Sequence, residues 1–268
     1  MRQSRNSLAS LLREAFGSSR FEMLLSLNKS RSKMSSLSRE LNRPVQEIHR
    51  NAVKLAEMGL IEKEPDSMLN VTEAGRILLS LLPPIEFVFR HQAYFMVHTL
   101  SYLPGRFVHT IGALGSCKMM HGAAAIFDKT AYMCKDARHL RAVAAQVTRD
   151  HMKNAGEFVR RDGARISYIF GENTVVPKGR AQLLSEIQWK DYLQKGKVER
   201  RMVKRVNLHL VVTEAGACVM FPYLNGEVDM NAMFYGDGDD FLKWCNDLFS
   251  EMWNGAGRFD DSKLVEIG

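Results

Sequence analysis

The sequence predicts an α+β protein, in which a helical N-terminal domain ending in a short hairpin precedes a larger mixed α/β domain. Apolar residues recur at spacings of three and four through the first 60 positions, as they do in amphipathic helices. Alternating apolar segments bounded by turn residues follow in the C-terminal half, which is typical of strands. The chain has 268 residues, enough for two domains of ordinary size.

These patterns predict a division of the chain into four parts. Residues 1–84 are expected to form the helical domain with its hairpin, and residues 85–114 to form connecting or dimerisation helices. Residues 115–258 are expected to form an α/β domain for sensing or interaction, and residues 259–268 a loosely held polar tail.

Residues 37–60 predict a short helix, a tight turn and a second helix over 44–58. In the second helix Val45, Ile48, Ala52 and Leu55 share one face, which we expect to be turned toward a core. Pro44 suits the first helical position, and Gly59 suits the residue just past the end. Polar side chains occupy the other face: Gln46, Glu47, His49, Arg50, Asn51 and Lys54. A helix-turn-helix has this arrangement, but so does an ordinary helical hairpin in a core.

The segment after Leu60 favours the first interpretation. Residues 61–64 alternate, Pro65-Asp66-Ser67 marks a turn, and residues 68–71 suit a returning strand. Thr72 is a suitable N-cap for a helix over 73–82, which Pro83-Pro84 ends. A hairpin placed directly after a helix-turn-helix is the layout of a winged helix.

The remaining elements are predicted from periodicity. A first helix spans 7–27 and is split near Gly17, and another spans 85–97. Further helices are predicted over 135–160, 179–194 and the segment containing Phe241, Trp244, Leu248 and Met252; strands are predicted over 164–170, 174–177, 207–213 and 217–221.

Charge and cysteine usage limit the function classes. The net charge is +7, and the sequence pI is about 9.3, which favours an acidic partner such as double-stranded DNA. The four cysteines lack metal-ligand spacing, and we expect them to be reduced. No apolar run approaches the roughly 20 residues of a membrane span, and no signal sequence is evident, so a cytoplasmic protein without membrane association is expected.

Two groups of motifs resemble known regulators. The stretch MGLIEKE…LNVTEAGRILL resembles the wing of archaeal and bacterial winged-helix transcription regulators of the ArsR-like kind. The segments ARISYIFGENTVVP, NLHLVVTEAGACVMFPYLNGEVDMNAMFYGDG and DFLKWCNDLFSEMWNGAG resemble the domain behind the winged helix in the archaeal family named for a methanogenesis regulatory protein. The resemblance implies a one-component regulator with a DNA-binding module and a sensing or interaction domain.

No catalytic motif is recognised. The chain lacks a nucleophile elbow, a P-loop and a dinucleotide-binding fingerprint. His151 and Lys153 have the spacing of a phospholipase-D-type motif, but Phe158 stands where that motif requires Asp. Asp237, Asp239 and Asp240 lack the distal Glu of a calcium-binding EF-hand loop. We therefore expect a protein that is not an enzyme and has neither a metal nor a cofactor.

The sequence thus predicts a DNA-binding transcriptional regulator with its second helix in the major groove, acting as a homodimer. The alternative is a winged-helix module that binds protein without sequence-specific DNA binding. The predicted DNA-binding residues are Ser36, Arg43, Gln46, Glu47, His49, Arg50, Asn51, Lys54 and Lys63. A small-molecule effector is expected in the second domain, near Arg200, Arg201, Lys204 and Arg205 with the aromatic residues Phe221, Tyr223 and Phe234. A charged strand face beside core aromatic residues is the alternative reading of that cluster.

Overall fold

The computed structural model describes residues 8–267, and its chain divides into two compact units between Leu82 and Pro83. The division falls two residues before the predicted end of the first domain. The predicted helix start at Ser7 lies outside the described residues.

The first unit contains helices and one antiparallel hairpin, in the predicted order. Its elements are α1 (Leu8–Ala15), α2 (Ser18–Lys29), α3 (Met34–Glu40), α4 (Val45–Glu57), β1 (Ile61–Lys63), β2 (Leu69–Val71) and α5 (Glu73–Ser80). The split of the first helix after Ala15, the hairpin and the helix after Thr72 confirm the predictions. The core joins Leu24 and Leu27 of α2 to Leu37 of α3 and to Ile48 and Leu55 of α4.

Local chemistry fixes both ends of the hairpin. Gly59 has φ +71°, and its N–H donates to the carbonyl of Ala56 at 2.9 Å. The Leu60 N–H donates to Leu55 at 2.9 Å, which completes a Schellman C-cap of α4. At the other end the Thr72 hydroxyl accepts from the Gly75 N–H at 3.2 Å, as predicted for an N-cap.

The second unit is a mixed sheet with helices on both faces. Its helices are α6 (Leu82–Arg90), α7 (Gln92–Phe95), α8 (Gly105–His109), α9 (Ala123–Cys134), α10 (Arg149–Arg160), α11 (Arg180–Glu186), α12 (Trp189–Gln194) and α13 (Asp239–Gly255). Its strands are β3 (Lys118–His121), β4 (His139–Gln146), β5 (Arg165–Pro177), β6 (Val198–Val203), β7 (His209–Thr213), β8 (Gly216–Met220), β9 (Ala232–Gly236), β10 (Gly257–Arg258) and β11 (Val265–Ile267).

The described strands follow the order β10-β6-β5-β4-β7-β8-β9-β3, with β11 paired to β5. Strands β4, β5 and β6 are parallel, and the strands from β7 to β3 run antiparallel to their neighbours. One face packs on α13 through Trp244 and Leu248, and the other packs on α9 and α10 through Ile126 and Phe158. The predicted mixed α/β character of the second half is confirmed, as is the packing of the last long helix on the sheet.

The predicted helix over 135–160 was wrong in its first half. Residues 139–146 form β4, which pairs with β5 on one side and β7 on the other. Leu140, Val143 and Val147 have helical spacing, but Leu140 and Val143 lie on opposite faces of the sheet, each in a separate core. A strand buried on both faces places apolar residues at every position and therefore imitates a helix.

Three other predicted elements differ in extent. The helix over 85–97 is interrupted at His91, and the helix over 179–194 is interrupted at Gln188, whose φ is +56°. The predicted loose tail contains β11, which runs parallel to β5. Arg180 fixes this segment, because its guanidinium pairs with Asp261 at 2.7 Å and with Glu266 at 3.0 Å.

Candidate nucleic-acid interface

Helix α4 has one face in the core and one face in solvent. Ile48 and Leu55 are fully buried and Ala52 is nearly so, as predicted. Val45, which we expected in the core, is 51% exposed, and Asn51, which we expected in solvent, is 8% exposed. The buried stripe of the helix is therefore rotated toward Asn51 and away from Val45.

Ser19 on α2 accounts for this rotation. Its hydroxyl donates to the Glu47 carboxylate at 2.7 Å and accepts from the Asn51 amide at 2.8 Å. Arg43 extends the network, because its guanidinium contacts Glu47 at 3.2 Å and Glu22 at 2.9 Å. The bond from Ser19, together with the charge of Arg43, holds the pKa of Glu47 below its usual value. We call these five side chains the Ser19 network.

Three of the predicted DNA-binding residues belong to the Ser19 network. Asn51 is buried and its amide is occupied, so it is not available to read a base edge. Arg43 and Glu47 are half-buried, and they pair with each other inside the protein. Their role in this structure is to hold α4 on α2.

The remaining predicted residues of α4 stay on its outer face. Gln46, His49 and Arg50 are exposed, and within the described chain their side chains have no hydrogen-bond partner. With Met34 and Val45 they line a shallow concavity beside α3. Lys54 is exposed and pairs with Glu57 at 3.0 Å, a surface contact of little energetic weight. Ser36 on α3 is half-buried.

Cationic side chains flank this outer face. Lys29 and Lys33 lie at the α2–α3 connection, and Lys63 lies on β1; all three are exposed and have no carboxylate partner among residues 8–267. Arg31 instead pairs with Glu64 at 2.6 Å, and this pair joins the connection to the hairpin. Unpaired lysines beside an exposed polar helix give this surface a positive potential.

The predicted effector cluster in the second unit is not assembled. Successive residues of β6 point to opposite faces, so Arg200 stacks on Phe259, whereas Arg201 stacks on Trp253 and donates to its carbonyl at 2.7 Å. Phe221 and Phe234 are fully buried and pack in the α13-side core. Lys204, Arg205 and Tyr223 lie at the surface. The alternative reading, charged side chains beside core aromatic residues, describes this region.

A cavity of about 910 Å³, which the sequence did not suggest, lies in the second unit between α9, α10 and the sheet. His209 lies in its wall, 7% exposed, and its Nδ1 has no hydrogen-bond partner within the described chain. Burial lowers the pKa of His209 to about 3, so the imidazole is neutral at neutral pH. An isolated histidine in a buried strand gives no sequence signal that distinguishes it from a core residue.

Metal and membrane features were also sought within residues 8–267. They contain no cluster of His, Cys, Asp and Glu side chains suited to hold a metal ion. No helix in this range is both long enough and apolar enough to cross a membrane.

Residues 124–255 match the sequence model of the middle domain of the methanogenesis regulatory protein FilR1. The match covers just under half of the chain, including the strands and helices that enclose the cavity. This segment is therefore similar to a domain of a regulatory protein, and the predicted resemblance is supported there. No curated protein matches the chain.

Solved structures give weaker similarities. One is TrmBL2, described as an archaeal chromatin protein with a novel mode of DNA binding, at 13% identity over 96% of this chain and 100% of that chain, with a TM-score of 0.40. Another is the riboflavin-derivative dimethyltransferase RosA from Streptomyces davawensis, at 10% identity over 73% of this chain and 63% of that chain, with a TM-score of 0.25. TM-scores this low do not establish a shared fold.

Proposed function

We propose that the chain is a DNA-binding transcriptional regulator whose first unit is a winged helix-turn-helix. Helices α3 and α4 supply the helix-turn-helix, the β1–β2 hairpin supplies the wing, and α4 enters the major groove. The observation that carries the proposal is the outer face of α4, where the side chains of Gln46, His49 and Arg50 are exposed and have no hydrogen-bond partner among the described residues. The similarity of residues 124–255 to a domain of a regulatory protein supports it.

The proposed contacts divide into two kinds. Gln46 and Arg50 have the side chains that read adenine and guanine edges by paired hydrogen bonds, and the exposed Val45 offers a methyl surface for thymine. Lys29, Lys33 and Lys63 carry free ammonium groups suited to phosphates. Arg43, Glu47 and Asn51 act indirectly, because the Ser19 network fixes the rotation of α4.

Binding to a mixed-sequence 30-base-pair duplex, followed by fluorescence anisotropy across a salt series, tests the electrostatic part. Changing Lys33 or Lys63 singly to Ala should weaken binding and reduce the slope of log affinity against log salt by roughly one unit for each lysine that contacts phosphate. Lys243→Ala removes the same charge from the second unit and serves as the matched control.

Sequence reading is tested separately by selecting bound duplexes from a random library. Gln46→Ala with Arg50→Ala should flatten the selected sequence preference and leave most of the salt slope intact. If the parent protein shows neither a salt slope nor a selected sequence, the proposal fails and the alternative of a protein-binding winged helix takes its place.

We further propose that the protein is a cytoplasmic homodimer and is not an enzyme. In this proposal a small-molecule effector acts through the second unit. Helix α6 exposes Ile85, Val88 and Phe89 at spacings of three and one, and Phe89 is 70% exposed, which suits a second copy of the helix. Dimers of such modules bind half-sites about 34 Å apart. Light scattering of Phe89→Glu beside the parent tests the contact, and an unchanged dimer mass would locate the interface elsewhere.

A further inference from the structure

The cavity between α9 and α10 is built over the sheet floor. The floor includes Leu140, Ala142 and Ala144 of β4 and Val211 of β7, and Ile126 and Phe158 stand in the helical walls. Its volume of about 910 Å³ is within the range that accommodates a drug-sized organic molecule.

Small side chains open this space. Alanines occur in the lining on each of these elements, Ala142 and Ala144 on β4, Ala131 on α9 and Ala155 on α10, and larger side chains there would occupy part of the space. The cavity opens to solvent at one side, so a ligand can enter it from the surface.

His209 supplies a polar group that the protein does not satisfy. His209 is 7% exposed at the cavity wall, and its Nδ1 is buried without a hydrogen-bond partner in the described chain. Leaving a buried imidazole nitrogen without a partner is unfavourable, and a ligand group that pairs with it would remove that penalty. The side chains of Gln146 and Asn154, both half-buried in the lining, likewise have no hydrogen-bond partner among residues 8–267.

The charges around the cavity lie at its mouth. Asp128, Asp150, Glu157 and Lys135 are exposed there, with more acids than bases. Arg161 is the inner cation, but its guanidinium donates to the carbonyls of Cys134 and Lys135. The interior of the cavity therefore offers no free cation to pair with an anionic ligand, and its lining offers no buried carboxylate to pair with a cationic ligand.

We infer that this cavity binds an uncharged, largely apolar small organic molecule, which places a hydroxyl, carbonyl or amide group against His209. The apolar walls supply most of the affinity, and the unsatisfied imidazole fixes the orientation. Its use as the effector site rests on the proposed function of the chain as a regulator. Binding to the cavity itself does not depend on DNA.

The test uses the full chain and three uncharged probes, without DNA. N-phenyl-1-naphthylamine reports entry into an apolar cavity by its fluorescence, and 1-naphthol and 1-methylnaphthalene compete with it. The two competitors have similar shape, but only 1-naphthol carries a hydrogen-bonding group. We expect saturable binding of one probe molecule per chain.

Variants of α9 test the location. Ala131→Phe places a phenyl ring in the cavity and should weaken all three probes at least about tenfold, a change of about 1.4 kcal/mol. Ala124→Phe is a second filling variant, for use if the first does not fold by circular dichroism. Ala125→Phe, on the same helix but outside the lining, is the matched control and should bind as the parent does.

His209→Leu tests the polar contact. It should weaken 1-naphthol about fivefold and leave 1-methylnaphthalene nearly unchanged, since one hydrogen bond contributes about 1 kcal/mol. Absence of saturable binding, or binding unaffected by the filling variants, overturns the inference of a site. If His209→Leu weakens 1-naphthol and 1-methylnaphthalene equally, the inferred hydrogen bond to His209 is wrong. All of these outcomes are independent of DNA binding, so failure of the proposed function would be seen separately.

Discussion

Removing the hydroxyl of Ser19 is expected to destabilise the first unit more than a surface Ser→Ala change would. In Ser19→Ala the Asn51 amide, 8% exposed, loses its acceptor at 2.8 Å. A buried donor left without a partner costs about 1–3 kcal/mol, and the better helix propensity of Ala returns at most about 0.5 kcal/mol. The net expected loss is about 0.5–3 kcal/mol of unfolding free energy.

The three tryptophans make the assay specific to this unit. Trp189, Trp244 and Trp253 all lie in the second unit, so their fluorescence follows its unfolding in urea. Far-ultraviolet circular dichroism follows both units, and a transition seen only by dichroism belongs to the first. Ser80→Ala, whose hydroxyl bonds only within α5 to Ile77, is the control.

A double-mutant cycle with Asn51→Ala separates the contact from other effects. The coupling between the two changes should be about 0.5–1.5 kcal/mol, because each removes the same hydrogen bond. A Ser19→Ala loss below about 0.5 kcal/mol with no coupling would refute the claim that this contact sets the position of α4.

Three further outcomes are expected. Gly75→Ala should destabilise the first unit by about 1–3 kcal/mol, since its Cβ would overlap the Leu60 carbonyl. At Gly105 an added Cβ meets only the His109 side chain, at 4.0 Å, so Gly105→Ala should be nearly neutral; urea titration measures both. Burial depresses the pKa of His209 to about 3, so below the ordinary pKa the unfolded chain binds a proton that the folded chain does not, and the free energy of unfolding falls as the pH drops from about 6.5 toward 3. His209→Leu should reduce that loss of stability in acid titrations. The same loss in the variant as in the parent would contradict the lowered pKa. Burial raises the pKa of the Cys218 thiol to about 12, so it should react with a disulfide reagent at pH 8 only after urea is added.

The features predicted from the sequence are those that neighbouring residues determine. The end of α4 at Gly59, the hairpin turn and the Thr72 cap each depend on a few adjacent positions. Glycine past a helix end and threonine before one act through their own backbone and side chain, so their effects can be read locally.

The features that were missed depend on distant residues. The helical spacing of Val45 and Asn51 places both near an edge of the apolar face, and contact with Ser19, 32 residues before Asn51, decides which one is buried. Strand β4 was missed because its neighbours β5 and β7 cover both edges and each face meets a core. The cavity arises from small side chains on three separate elements, and no local sequence pattern predicts that these elements come together.

The pairing of β11 with β5 bears on the order in which the chain folds during synthesis. The contacts of the first unit are complete once residue 82 has left the ribosome, so that unit can fold early. The larger sheet must wait for residues 265–267, which join a strand made about 90 positions before them. Nascent chains halted before that point should therefore expose the unfinished edge of β5 while the N-terminal unit is already folded.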